Sequence, residues 1–72
     1  MIENHTVFIL MNIREDIRLI QNADYMNRQN DDIDNTNKYI IDARIVLMER
    51  FIGIINSYIQ TERENTHDIN IT

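Results

Sequence analysis

A chain of 72 residues makes at most one small domain, and one this short sits close to the limit at which a single core is stable alone. It has no cysteine and only two histidines. That excludes disulfide staples, thiolate chemistry and a His-rich metal core, and leaves oligomerisation or docking as the remaining stabilising device. A net charge of −5 and a pI near 4.7 speak against nucleic-acid binding and against an anionic membrane surface.

The first segment reads as a helix over about residues 6–28. Leu10, Ile13, Ile17 and Ile20 form a 3-4-3 apolar seam, the spacing of one helix face. Asp24 and Asn27 continue that spacing with polar residues, so the seam frays toward its end. Asp24 and Arg28 are four apart in the favourable order. The run Val7-Phe8-Ile9-Leu10-Met11 has strand-like composition. Helix is favoured there because the seam starts within the run and no turn signal follows it.

Residues 29–36 are polar, rich in Asn and Asp, and hold the isolated Ile33, which reads as a turn. Asp34, Asn35 and Thr36 each fit the cap of the next helix. That helix is expected over about residues 37–63. Ile41, Ile45, Met48, Ile52, Ile55 and Ile59 fall on a near-perfect 4-3 spacing. A second apolar set, Ile40, Leu47, Phe51, Ile54 and Tyr58, runs beside it. Only a narrow polar strip remains, carried by Asp42, Glu49, Gly53, Asn56 and Gln60. Residues 64–72 are expected to be a frayed tail.

Two helices of matched length joined by a short turn make an all-α fold, an antiparallel two-helix hairpin. Its expected core is Leu10, Ile13, Ile17 and Ile20 against the seam from Ile41 to Ile59. The second set on helix two, with Phe8 and Leu19 of helix one, is left over as an interface. A helix apolar over so much of its surface cannot be covered by one neighbour. The expectation is therefore a homodimer forming a four-helix bundle. No basic segment or cleavage signal opens the chain. The longest charge-free stretch, between Arg50 and Glu62, is far shorter than the ~20 residues of a membrane span. A cytoplasmic protein without membrane contact is expected.

Chemistry-bearing patterns are few. Asn30-x-Asp32-x-Asp34 has the opening rhythm of a calcium loop, but Asn35 stands where that loop needs Gly and Ile41 where it needs Glu. His5 and His67 lie near opposite chain ends that a hairpin brings together, with Glu3 and Asp68 close by; chain-end position argues against a metal there. Glu15 and Asp16 are adjacent, so a helix points them about 100° apart and they cannot pair. No triad-like set or Gly-rich phosphate loop occurs, so neither catalysis nor a cofactor is expected. Twelve carboxylates raise the idea of a DNA mimic, yet arginines are interspersed with them and only Asp31, Asp32 and Asp34 form a block. Met48–Tyr58 resembles the apolar skeleton of the motif that closes small helical-hairpin phosphatases of the sporulation phosphorelay. Met48 and Ile52 stand at that motif's Ser and Asp positions, so the resemblance extends to the hairpin pattern alone.

These readings favour a non-enzymatic helical protein that binds itself and another protein, regulating or inhibiting it as small phage and viral inhibitors do. A subunit of a larger helical assembly is the second reading. A nucleic-acid-related regulator, by mimicry or as a dimeric bundle, is the third.

Overall fold

A computed structural model describes the backbone of residues 4–71 and the side chains of residues 4–65. Two helices, α1 (His5–Arg28) and α2 (Asn35–Ile71), pack against each other, with no strand among the described residues. Contacts between Asn4 and Glu62, Arg14 and Asn56, and Arg28 and Asp42 set them antiparallel. The fold is an all-helical hairpin, 58 Å in its longest dimension.

Local chemistry fixes where each helix begins. Asn4 caps α1, its side-chain oxygen accepting a bond from the Val7 backbone N–H at 3.1 Å. The run from Val7 to Met11 is helical throughout. At the far end Arg28 lies in the last turn, where a cation suits the helix dipole. Asn30 builds the turn by accepting from the Asp32 N–H at 3.0 Å. Asp34, one of three residues that fitted the role, caps α2: its carboxylate accepts from the Asn37 N–H at 2.8 Å.

α2 starts two residues before the expected position and continues past Arg63 through the segment expected to fray. The chain has no Pro and its one Gly lies at position 53, so nothing after Arg63 stops the helix. His67 and Asp68 lie among the residues whose side chains are not described, and Glu3 lies outside the described residues.

The core is small. Val7, Ile45, Ile52, Ile55 and Ile59 are its buried apolar side chains among the described residues, with Leu10, Met11, Ile17, Ile41 and Met48 half-buried beside them. On α2 the inward residues are those of the 4-3 seam. On α1 the inward stripe is Val7, Leu10, Arg14, Ile17, Gln21, Asp24 and Arg28, a 3-4 spacing rotated from the expected one. Ile13 and Ile20, expected in the hairpin core, are 44% and 50% exposed. The reason lies in the second half of α1, where Gln21 and Asp24 take the inward places.

Candidate interaction surface

The inward stripe of α1 carries polar residues at seven-residue intervals: Arg14, Gln21 and Arg28. The flank of α2 carries Asp42, Glu49 and Asn56 at the same interval. In an antiparallel pair these two series meet rung by rung. Arg14 Nη1 donates to Asn56 Oδ1 at 2.7 Å, Gln21 Nε2 to Glu49 Oε2 at 2.8 Å, and Arg28 Nε to Asp42 Oδ1 at 2.8 Å. Arg18 adds a looser ion pair to Glu49 at 3.7 Å. Gln21 is buried and also donates to the Ile45 carbonyl at 3.3 Å, so its amide is satisfied. The ladder fixes the register of the helices along one side of the hairpin. Its signs are mixed, and its outer groups are solvated.

Among the described residues, one ion pair crosses the opposite side. Asp24, only 4% exposed, holds Oδ2 3.1 Å from Arg44 Nε. The carboxylate lies off the line of the N–H, so the contact is an ion pair without a directed hydrogen bond. Around this pair the flank is mostly apolar, with Asp16 and Asn27 as its polar members on α1. Ile20 sits one turn before Asp24, with Ile13 and Ile9 further back on the same side of α1. Ile40, Leu47, Phe51, Ile54 and Tyr58 follow Arg44 round α2. All eight of these apolar side chains are about half-exposed.

The hairpin therefore has two unlike faces. One is the polar ladder. The other is an apolar layer of half-exposed side chains contributed by both helices, a surface that soluble monomers seldom leave uncovered. Ile13 and Ile20 belong to this face. Phe8 and Leu19, expected beside the second set of α2, do not: both are exposed, but on the outer side of α1 together with Met26, turned away from α2.

Other candidate features are plain in the structure. Tyr39, Val46, Leu47 and Arg50 line a shallow open groove along the outer side of α2, formed by one helix alone. Gly53 lies on the exposed ladder flank, and a Cβ there meets nothing within 4 Å. Asn30 and Asp34, two members of the calcium-like rhythm, spend side-chain oxygens on the turn and the cap. No group of three or more metal-binding side chains occurs among the described residues. No helix among the described residues is long and apolar enough to cross a membrane.

Comparison with known proteins adds nothing to this geometry: no family model, no curated protein and no solved structure matches the chain.

Proposed function

We propose that the chain is a small non-enzymatic interaction protein that self-associates through the apolar face of its hairpin and, as a cytoplasmic dimer, binds another protein to regulate or inhibit it. The observation that carries the reading is the apolar face spanning both helices. Eight half-exposed apolar side chains are gathered there, the kind of surface that a second copy would cover. A second copy brings the same apolar side chains. Two hairpins packed this way form a four-helix bundle with the polar ladders outside.

Partner binding then falls to the outer surfaces. Phe8, Leu19 and Met26 remain exposed on the outer side of α1, outside the self-association face. The same stripe supports a second reading, a subunit of an extended helical array, because an additional apolar stripe permits growth beyond a closed dimer. The ladder's alternation of cationic and anionic groups offers no phosphate-like row and so gives DNA mimicry no support.

Photo-crosslinking in cells separates the two surfaces. A photoreactive residue at Leu47 is expected to give a product of twice the chain mass, and one at Leu19 a heterologous product. Crosslinks from both sites to the chain itself, in a ladder of masses, would replace the regulator by the assembly subunit. No product from Leu47 would remove self-association through this face.

A further inference from the structure

Resting on the partner binding just proposed, we infer that the outer side of α1 is one strand of a coiled coil, completed by a helix of another protein that carries a lysine or arginine opposite Glu15.

The outer side of α1 keeps an unbroken heptad spacing. Phe8, Asn12, Glu15, Leu19, Asn22 and Met26 fall 4-3-4-3-4, so they form one seam over most of the helix. At 1.5 Å per residue that seam is roughly 27 Å long. All six residues are exposed. Three of them are large and apolar, and exposure rises from 49% at Phe8 through 58% at Leu19 to 74% at Met26. The seam lies outside the hairpin's own packing, on the side of α1 turned away from α2. A 3.5-residue repeat in that place suits a further helix, packed knobs into holes.

Charge says which helix fits. Glu15 stands beside the middle of the seam, and its carboxylate takes part in no ion pair or hydrogen bond among the described residues. The arginines of α1 are turned to the ladder instead: Arg14 to Asn56, Arg18 to Glu49, Arg28 to Asp42. A carboxylate covered by an apolar contact is costly unless the partner brings the opposite charge. A single such position in a heptad seam therefore selects its partner. The α1 seam of a second copy fits the spacing and fails on charge. Reversed about Ile17, it lays Phe8 on Met26 and Asn12 on Asn22, but each Glu15 on a Leu19. A helix of another protein with a cation at that level meets both conditions.

The test uses two fluorescent synthetic peptides of about three heptads, each with a leucine seam, one with lysine and one with glutamate at its middle seam position. The full chain is titrated into each and binding is read by anisotropy. The lysine peptide is expected to bind about tenfold more tightly than its twin. Glu15→Lys, at an exposed site, reverses that preference, and Leu47→Asp on the self-association face leaves it unchanged. Equal binding of the two peptides, or a preference that survives Glu15→Lys, overturns the inference. The outer side of α2 also sets a cation at apolar spacing, Arg50 with Tyr39 and Val46. Growth of the purified chain beyond a dimer in sedimentation, abolished by Glu15→Lys, gives the seam to a further copy and overturns the foreign helix. Absence of a heterologous crosslink from Leu19 in cells removes partner binding itself; such a crosslink without a charge preference among the peptides overturns this inference alone.

Discussion

Replacing Gly53 by alanine is expected to stabilise this protein, and the size of the gain follows from the site. Gly53 lies in the middle of α2, well away from either helix end, so the full difference in helix propensity applies: about 0.8–1.0 kcal/mol in favour of alanine. Nothing offsets it, because a Cβ at that position meets no atom within 4 Å. The Gly53 carbonyl already accepts the Ser57 hydroxyl at 3.2 Å, and a methyl group on the solvent side leaves that bond alone. The position sits on the ladder flank, away from the apolar face, so the oligomeric state should not change. For a domain of this size a gain of ~1 kcal/mol raises the melting temperature by about 4–8 °C. Thermal unfolding followed by far-ultraviolet circular dichroism, at one fixed chain concentration, measures it. A drop in stability would refute the reasoning. It would mean that Gly53 lies at a close helix–helix crossing and that the ladder flank, not the apolar flank, is the packed surface.

Three further expectations can be checked together. Ile52→Ala, at a core position only 2% exposed, should cost about 2–5 kcal/mol and remove much of the helical signal at room temperature; a loss under ~1 kcal/mol in urea denaturation would show that α1 and α2 do not pack through this seam. Arg44→Met should cost about 1–3 kcal/mol by leaving the buried Asp24 carboxylate without its ion partner. Arg28→Met breaks a pair whose side chains are 40% and 52% exposed and should cost less than ~1 kcal/mol; equal losses in the two variants would contradict the burial of Asp24. Leu47→Asp should leave the helicity of the hairpin intact and weaken the dimer about 10- to 100-fold, from the half side chain still to be buried on each copy. Light scattering across a dilution series reads that change, and an unaltered dimer would place the interface elsewhere.

The two halves of the hairpin were not equally legible in the sequence. α2 was the easier, because its six inward positions are all apolar and the 4-3 spacing has one solution. α1 has two competing stripes. The apolar one, through Ile13 and Ile20, carries the usual mark of an inward face. The stripe that packs instead includes Arg14, Gln21, Asp24 and Arg28. Such residues carry the mark of a surface, since charged side chains are rarely buried without partners. The partners were nevertheless present in the chain: Asp42, Glu49 and Asn56 repeat at the same seven-residue interval as Arg14, Gln21 and Arg28. Matching the two polar series in antiparallel order finds the ladder and sets Ile13 and Ile20 on the apolar face shared with α2.

That placement changes the candidate site as well. Sequence periodicity places the surplus apolar surface on α2 and sets Phe8 and Leu19 of α1 beside it. Which flank of α1 adjoins that surface depends on the rotation of α1 about its own axis, set by side-chain pairing rather than by hydrophobicity. With the ladder on one side, Ile9, Ile13 and Ile20 join the α2 set on the other, and Phe8 and Leu19 fall to the back. The caps show the same limit at smaller scale. Asp34, Asn35 and Thr36 share the chemistry of an N-cap, and only the bond from the Asn37 N–H singles out Asp34.

The claim on which the rest depends is that the apolar face takes up a second copy of the chain. Sedimentation equilibrium of the purified protein from micromolar to millimolar concentration, with helicity recorded on the same samples, tests it most directly. A highly helical species of twice the 8.7 kDa chain mass, dissociating only on dilution, is the expected result. A helical chain that stays at 8.7 kDa across the whole range would contradict it.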